Sequence, residues 1–566
     1  MSAEVAPKTG TTPAERHAIG ISFGNSNSSI AYTTGDDKAE VIANEDGDRQ
    51  IPSILSYVAG EEYNGQQAKA QLIRNSKNTV AYFRDYLGQD FKSIDPTHSH
   101  ASAHPEAYGD TIAFKIHDKE GDEESTVTIS EIATRHLRRL AQSASDYTGK
   151  KVNSAVITVP TNFSEKQKTA LTKAATDAGL ETLQLIHEPV AAILAYDARP
   201  ESKVSDKMVV VADLGGTRSD VAVIASRGGM YTILATAHDY DTAGVHLDKV
   251  LQDHFAKEFI KWNTTDPREN ARSLAKLKQE SEATKRALSI GTNANFSVES
   301  LAEGIDFAST INRLRYETIA RKVFDGFNRL IEGVVKKAGL DVLDIDEVIL
   351  SGGTSHTPKI ASNMANIFPS STTILAPSTT PTAINPAELQ ARGAALQASL
   401  IQEYEKEDIE QSTHAAVTTV KHLSNAIGVL AITDDVSKGV FTPIVSAETA
   451  VPARRAIHIN APKEGGDVMV KIVEGGSSIK VSKAEPKAKI IGENSDDSDD
   501  ESDEEPEDIR EKVWKVGKVL AEAAIKGVKK GGKVEVMINV AGDASVTVTC
   551  REVGGKGGVR GQLSPP

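Results

Sequence analysis

Two glycine-bearing turns, each set between a pair of apolar runs, are the segments of this sequence best suited to chemistry. The first is SFGNSNSS at residues 22–29, and the second is DLGGTRSD at residues 213–220. Glycine lets the backbone come close to a ligand, and successive N–H groups in such a turn can bind anionic oxygens. One such turn alone is typical of an ordinary hairpin. Two in matching places predict a cleft that binds a polyphosphate.

The elements that must position these turns occur twice, about 190 residues apart. Residues 17–34 and 208–226 each predict a β-hairpin around one turn. A buried strand and a helix follow each hairpin. In the first copy, SAVITVP precedes a helix that Ser164 and Gln167 begin as a capping box, and in the second, DEVILSGG precedes a helix from about Thr357. The repeat predicts two similar α/β lobes whose turns converge on one cleft.

The pattern changes after these two lobes. Residues 401–420 are polar and predict a linker, and residues 421–553 predict a β-sandwich of short strands rich in valine and isoleucine. No helical domain is expected to cover it. We expect residues 1–16 and the glycine-rich residues 554–566 to be disordered.

Most of the formal net charge of −15 comes from one segment, residues 492–508, which contains eleven acids and no base. Such a segment predicts a disordered loop. It is either a solvating spacer or, because Ser498 and Ser502 each precede three acids, a phosphorylatable element. The lysines around residue 530 are typical of a solvated turn rather than of a nucleic-acid site.

The composition excludes several classes of protein. No apolar run approaches the roughly 20 residues of a membrane-spanning helix, and the first residues lack the pattern of a signal peptide. We therefore expect a cytoplasmic protein without membrane contacts. One cysteine, Cys550, excludes an intramolecular disulfide framework.

Five ordered blocks carry a resemblance to a known family: NTVAYFRDYLG, AVITVPTNFSEKQKTAL, IHEPVAAILAY, EATKRALS and ILSGGTSHTPKI. Over about residues 17–553 the chain resembles the heat-shock protein 70 family, the DnaK-type chaperones. The resemblance implies an α/β, actin-like, two-lobed nucleotide-binding unit at residues 17–400, the linker, and an all-β sandwich that binds extended peptides.

The resemblance also implies a binding site for ATP. Glu282, Lys285, Arg286 and Ser289 match the family's adenosine-binding helix, and His356 stands where the family has an arginine that stacks on adenine. Ala387 replaces an aspartate. The positions expected to bind the nucleotide are Gly24, Asn25, Ser26, Gly215, Gly216, Glu282, Lys285, Arg286, Ser289, Gly352, Gly353 and His356.

The residues around the phosphates depart from the family selectively. Lys69, Glu188 and Asp213 match its catalytic lysine and acids, whereas Ser22, Thr217 and Arg218 replace an aspartate, a glycine and a threonine. Phosphoryl transfer depends on positioning water, metal and phosphate together, so three changes predict a site without functional catalytic residues. We expect ATP to stay bound as a structural ligand. No metal site is predicted, the presence of Mg²⁺ stays open, and a working ATPase with tolerated substitutions remains the alternative.

Arg218 has two possible roles, as a fixed counter-charge to a nucleotide or as a group that fills the nucleotide's place. The predicted linker offers little apolar area with which to couple the two units. Without a lid, the β-sandwich has an open groove, or a partner's segment completes it by adding along a strand edge.

Together the departures resemble the atypical, non-cycling family members of fungal ribosome-associated complexes. That likeness implies a zuotin-like J-domain protein, the ribosome, nascent polypeptides and a separate active heat-shock chaperone as partners, without direct binding of nucleic acid. The alternative is an autonomous ATP-hydrolysing chaperone with a lidless substrate domain. Enlarged heat-shock exchange factors, sugar kinases and actin-like filament formers fit the C-terminal half less well.

Overall fold

The computed structural model describes residues 15–35, 38–94, 102–119, 123–199, 207–227, 230–413, 421, 423–431, 440–445, 449, 451–461, 464–483, 508–555 and 557–563. The chain forms two compact units that meet between Thr419 and Val420. Residues 492–507 of the predicted acidic loop lie outside the described residues, and Asp508 begins a strand. Within the described part, no helix combines the length and the apolarity needed to cross a membrane.

Unit 1 contains two lobes, and the first is built around a mixed six-stranded sheet. Its strands are β1 (Ala18–Ser22), β2 (Asn27–Thr33), β3 (Ala39–Ile42), β4 (Ile51–Pro52), β5 (Ile54–Val58), β6 (Glu61–Asn64), β7 (Thr79–Ala81), β8 (Pro105–Tyr108), β9 (Thr111–Ile116), β10 (Ser125–Thr128), β11 (Ser154–Val159) and β12 (Glu181–His187). Its helices are α1 (Gly65–Gln71), α2 (Ile129–Thr148), α3 (Glu165–Asp177) and α4 (Glu188–Asp197). The main sheet has the order β12-β11-β1-β2-β3, and β4 also pairs with β2.

The second lobe repeats this plan around a five-stranded sheet. Its strands are β13 (Lys207–Leu214), β14 (Ser219–Arg227), β15 (Met230–Asp239), β16 (Asn293–Ala302), β17 (Ile305–Asn312), β18 (Glu347–Ser351) and β19 (Thr373–Leu375). Its helices are α5 (Gly244–Asn263), α6 (Ala271–Ile290), α7 (Arg313–Ile319), α8 (Arg321–Lys337) and α9 (Pro358–Ile367). The main sheet has the order β15-β14-β13-β18-β19.

The predicted repeat of hairpin, strand and helix is present in both lobes. Strand β1 pairs antiparallel with β2 and parallel with β11, and β13 pairs in the same way with β14 and β18. Helix α3 begins at the predicted capping box, in which Ser164 and Gln167 each bond the other's backbone. Because a parallel strand pair requires a crossover connection, each glycine turn lies beside the end of a buried strand.

Helix α10 (Leu389–Ile401) returns from the second lobe and packs against both β1 and α4. A Cβ atom at Gly393 would lie 1.9 Å from the carbonyl oxygen of Ala191, and one at Gly20 would lie 2.1 Å from the backbone nitrogen of Ala395. Glycine at these two contacts therefore permits a backbone approach that no side chain allows.

The predicted linker differs from the structure in its first half. Residues 406–412 form helix α11 (Lys406–Ser412), and Ile409 on it is only 5% exposed, packed with Leu183 and Ile401 in a hydrophobic cluster of unit 1. One apolar side chain in a polar helix is enough to anchor it when a pocket of apolar residues is available. Residues 414–420 lie outside the described residues.

The N-terminal boundary also differs from the prediction of disorder over residues 1–16. Arg16 pairs with Glu181, its Nε atom 2.9 Å from the carboxylate Oε2, and donates to the carbonyl oxygens of Gln402 and Tyr404. Asn153 donates to the carbonyl of Glu15. Residues 15 and 16 are therefore held by side-chain hydrogen bonds that a propensity argument cannot anticipate, while residues 1–14 lie outside the described part.

Unit 2 is a β-sandwich, and its described residues include no helix. The strands are β20 (Ala426–Ala431), β21 (Val440–Val445), β22 (Ala453–Asn460), β23 (Gly466–Lys483), β24 (Asp508–Val528), β25 (Lys533–Val540), β26 (Val546–Glu552) and β27 (Gly558–Leu563). They form two four-stranded sheets, β21-β20-β23-β24 and β22-β25-β26-β27. Valines and isoleucines from both sheets share one core, so the predicted fold class is confirmed.

Strand β27 corrects the prediction of a disordered tail at residues 554–566. Gly558–Leu563 pairs antiparallel with β26, in a register that places Leu563 opposite Val546. The residues from Gly558 to Gln562 are exposed, so the pairing depends on main-chain hydrogen bonds to an available sheet edge. Glycine-rich composition conceals such a strand, because its side chains carry little of the signal.

Candidate functional site

A cavity of about 580 Å³ lies between the two lobes of unit 1, where both glycine turns meet. This volume is within the usual range for small-molecule and cofactor sites. Of the site residues predicted from the sequence, those that line it are Ser22, Gly24, Asn25, Ser26, Glu188, Asp213, Gly215, Gly216, Thr217, Arg218, Glu282, Lys285, Arg286, Ser289, Gly352, Gly353 and His356. Lys69 does not line it.

The first turn approaches the second so closely that only glycine fits between them. A Cβ atom at Gly216 would lie 2.4 Å from the Oγ atom of Ser26 and 2.9 Å from its Cβ. The Oγ atom of Ser26 is buried and has no hydrogen-bond partner among the described residues. A buried hydroxyl without a partner is costly, and an anionic oxygen in the cavity would accept from it.

Two of the departing side chains are bonded to the protein itself. The Nδ2 atom of Asn25 donates to the Oγ1 atom of Thr217 at 3.0 Å, and both residues are buried. Ser22 donates from its Oγ atom to the Oε1 atom of Gln390 at 3.0 Å. Neither Ser22 nor Thr217 therefore presents a carboxylate or an open backbone to the cavity.

The opposite end of the cavity is built from helix α6. Lys69 approaches Glu282 with its Nζ atom 2.5 Å from the carboxylate, and Arg286 bonds the other oxygen of the same carboxylate. Burial disfavours the ionised form of Glu282, but Lys69, Arg286 and Lys285 outweigh it and lower the pKa of Glu282 to about 2. Lys69, predicted as a catalytic remnant, is thus placed as the partner of an adenosine-side carboxylate.

The other members of this wall are held by neighbouring groups. Lys285 pairs with Asp248 at 2.7 Å. His356 shares a hydrogen bond of 2.9 Å with the amide oxygen of Asn385, and burial lowers the pKa of His356 below its ordinary value. A neutral imidazole at this position offers a flat surface for stacking but no cationic charge.

Three carboxylates meet on the phosphate side of the cavity. Oxygen atoms of Glu188, Asp213 and Asp220 lie within 4.8 Å of one another, a spacing that suits a divalent cation with oxygen ligands. Burial, with the neighbouring carboxylates, raises the pKa of Glu188 to about 8 and that of Asp213 to about 6. Arg84 opposes the shift of Glu188, because its Nη1 atom donates to that carboxylate at 2.9 Å.

Arg218 does not extend freely into the cavity. Its Nε atom donates to Asp220 at 2.7 Å, its Nη2 atom donates to Asp220 and to Asn162, and its Nη1 atom donates to Tyr240 at 3.0 Å. The guanidinium also lies over the Tyr240 ring, 5.2 Å from its centroid. The side chain is 5% exposed, so the protein itself neutralises its charge.

These residues fit a nucleoside triphosphate. The Ser26 hydroxyl and the glycine backbones could bind phosphate oxygens, the carboxylates of Glu188 and Asp213 could hold an associated Mg²⁺, and α6 with His356 could bind the adenosine. Bound Mg²⁺ would neutralise the charge of the phosphates.

Comparison with known proteins agrees with this geometry. The family model of the Hsp70 protein matches residues 18–487. The chain belongs to the Hsp70 family. It is similar to the ribosome-associated complex subunit SSZ1 of Saccharomyces cerevisiae, with 44% identity over 96% of this chain and 99% of that protein. It is also 46% identical to a heat shock protein 70 homolog of Schizosaccharomyces pombe, over 96% and 95% of the two chains.

More distant members of the Hsp70 family are similar over a shorter span. The heat shock 70 kDa protein 14 of Danio rerio is 32% identical over 84% of this chain and 92% of its own length. The human protein of the same name is 30% identical over 85% and 91%. The resemblance to the Hsp70 family seen in the sequence is thereby confirmed.

Several residues of this Hsp70 site escaped the sequence argument. Asp85, Asn162 and Tyr240 surround Arg218, and Arg84 bonds Glu188. Arg84 and Asp85 belong to the block NTVAYFRDYLG, so their position in the sequence was a usable signal. Asn162 and Tyr240 lie in loops after β11 and β15, and only the fold brings them to Arg218.

Proposed function

We propose that this chain is a non-cycling chaperone subunit that binds ATP without hydrolysing it efficiently. It acts as a scaffold with a zuotin-like J-domain protein at the ribosome and supports the co-translational folding of nascent chains by a separate, active Hsp70. The observation that carries the proposal is the similarity, over 96% of the chain, to a protein named as a subunit of the ribosome-associated complex.

The phosphate side of the cavity supports the absence of efficient hydrolysis. Ser22, Thr217 and Arg218 are all engaged with protein partners and leave little freedom to adjust to an attacking water. Because the rate of phosphoryl transfer depends on positioning, a misplacement of about an ångström costs on the order of a hundredfold. ATP would then stabilise unit 1 by mass action, as a ligand that binds only the folded state.

The β-sandwich supports a role in binding an extended segment. Met469, Trp514, Val516 and Val519 on β23 and β24 are 44–49% exposed, and Trp514 packs against Phe441 with ring centroids 5.2 Å apart. Strand β24 is at the edge of its sheet. A segment of the J-domain partner or of a nascent chain can add along such an edge through main-chain hydrogen bonds.

Affinity purification of the chain from its native cytoplasm, followed by washing in high salt, tests the scaffold role. We expect a J-domain protein to remain in about equal amount and the pair to sediment with ribosomes at low salt. Recovery of the chain alone, or with peptides released by ATP, would contradict the proposal.

One observation favours a second candidate, an autonomous ATP-hydrolysing chaperone with a lidless substrate domain. The three carboxylates Glu188, Asp213 and Asp220 remain within 4.8 Å of one another and can hold a cation. Phosphate release that rises with an added J-domain protein would support this candidate and exclude the first.

A further inference from the structure

Arg218 and four residues around it join the two lobes of unit 1 through buried polar contacts. Asp85 and Asn162 belong to the first lobe, in the segments after β7 and β11, whereas Arg218, Asp220 and Tyr240 belong to the second. We propose that these five residues form an interlobe clamp that keeps the lobes closed on each other when no nucleotide is bound. This inference does not rest on the proposed function, because it concerns the nucleotide-free chain.

The contacts of the interlobe clamp form a closed circuit. Arg218 is fixed within its own lobe by Asp220, which accepts from both its Nε and Nη2 atoms. From that position Nη2 donates across the cleft to the Oδ1 atom of Asn162 at 3.0 Å. Tyr240 donates across the cleft as well, from its hydroxyl to Asp85 at 2.9 Å, and accepts from Arg218.

Charge and burial make these contacts strong. Asp85 lies 3.7 Å from the Nη1 atom of Arg218 and 2.7 Å from Arg84, and these side chains are between 5% and 9% exposed. Burial disfavours the ionised form of Asp85, but the two arginines hold its pKa below the ordinary value. A charged pair in low dielectric loses far more when separated than an exposed pair, because opening the lobes leaves buried charges without partners.

The segment that presents Asp85 is itself held rigidly. Tyr82, three residues earlier, has a φ angle of 56°, a conformation that bulky residues rarely adopt and that persists only where the surroundings impose it. The fixed geometry of the guanidinium then requires Asp85, Asn162 and Tyr240 to be in place together. Opening the cleft would break all of these contacts at once, so the clamp favours one closed arrangement.

Distance measurement by pulsed electron paramagnetic resonance on the full, nucleotide-stripped chain tests the clamp. Nitroxide labels are placed at Arg74 and Asn295, which are exposed in the first and second lobes, in a chain with Cys550→Ala. We expect one narrow distance distribution that ATP shifts little. With Arg218→Met we expect a broader distribution at longer distance, and a rate of nucleotide release raised at least about tenfold for the loss of one buried charged contact.

Arg135→Met is the matched control, because Arg135 also bonds several partners, Asp118, Glu131 and the Tyr57 hydroxyl, but all of them lie in the first lobe. It should leave the distance distribution narrow. If Arg218→Met does not fold, Tyr240→Phe removes one donor across the cleft and should broaden the distribution partly. A broad distribution in the parent chain, or one that neither variant changes, would overturn the proposal.

Discussion

Asn25 in the first glycine turn donates a hydrogen bond of 3.0 Å to Thr217 in the second, so the two turns that line the cavity are tied to each other directly. Both positions depart from the residues that the family resemblance leads one to expect. A side-chain contact thus replaces part of the open space between the turns. The departures are not scattered losses, since they bond one another or their neighbours.

This contact can be measured by a double-mutant cycle. Asn25→Ala and Thr217→Ala should each lower the free energy of unfolding of nucleotide-free unit 1, because each leaves a buried polar group without a partner. The coupling energy between them should be about 1 kcal/mol. Urea unfolding of the two single variants and the double variant provides the cycle. Strictly additive effects would show that the hydrogen bond contributes nothing.

The neighbouring glycines Gly352 and Gly353 should respond differently to alanine. Gly352 has a φ angle of 82°, and its Cβ would lie 2.5 Å from the Leu214 carbonyl oxygen, so Gly352→Ala should lower the melting temperature. A Cβ at Gly353 meets nothing within 4 Å and faces the cavity. Gly353→Ala should therefore leave the melting temperature of the free chain unchanged but weaken ATP binding in calorimetry. Unchanged affinity would place the nucleotide elsewhere.

Helix packing gives a second matched pair of glycines. Gly393→Ala places a methyl group against the Ala191 carbonyl, at 1.9 Å before relaxation, and should cost about 1–3 kcal/mol of stability through overpacking. Gly333 lies within α8 and has nothing within 4 Å of its Cβ position. Gly333→Ala should stabilise the chain by up to about 1 kcal/mol, as helix propensity predicts. Equal effects in a thermal unfolding series would contradict the close contact.

Buried His136 should make unit 1 sensitive to acid. It is 1% exposed, packs between Phe23 and Phe83, and bonds Ser28, and burial lowers its pKa from 6.5 to about 4. The unfolded chain therefore binds more protons than the folded chain, so the free energy of unfolding falls as the pH drops from about 6.5 to about 4. The full contribution is about 3 kcal/mol.

His136→Asn keeps a hydrogen-bonding group for Ser28 but cannot titrate in this range. Its unfolding free energy, followed through hydrogen exchange of α2 peptides across a urea series, should lose that part of the pH dependence. The difference from the parent chain isolates the histidine from the other titrating groups. Parallel pH profiles for the two chains would show that His136 is protonated as easily in the folded state.

Local pattern predicted much of the fold because the signals were short-range. The alternation of apolar and polar residues gave the hairpins β1–β2 and β13–β14, and the Ser164 capping box gave the start of α3. The partners of Arg218 could not be found in this way. Asp85 is remote in sequence and reaches Arg218 only because two lobes close on each other.

Weak side-chain signals account for the elements that were missed. Ile409 is the one apolar residue in α11, and its burial depends on a pocket formed by Leu183 and Ile401 far along the chain. Strand β27 is carried by the free edge of β26 and not by its own glycine-rich residues. In each case, the deciding interaction belongs to another part of the molecule.

A single-turnover experiment with radiolabelled ATP tests the central claim most directly. The purified chain is loaded with ATP and Mg²⁺, separated from free nucleotide, and sampled over time with and without a J-domain protein, beside an active Hsp70. The account predicts that the label remains in ATP, with phosphate release at least about a hundredfold slower than in the active protein and no stimulation by the J-domain. Release of phosphate at a comparable rate, accelerated by the J-domain, would contradict it.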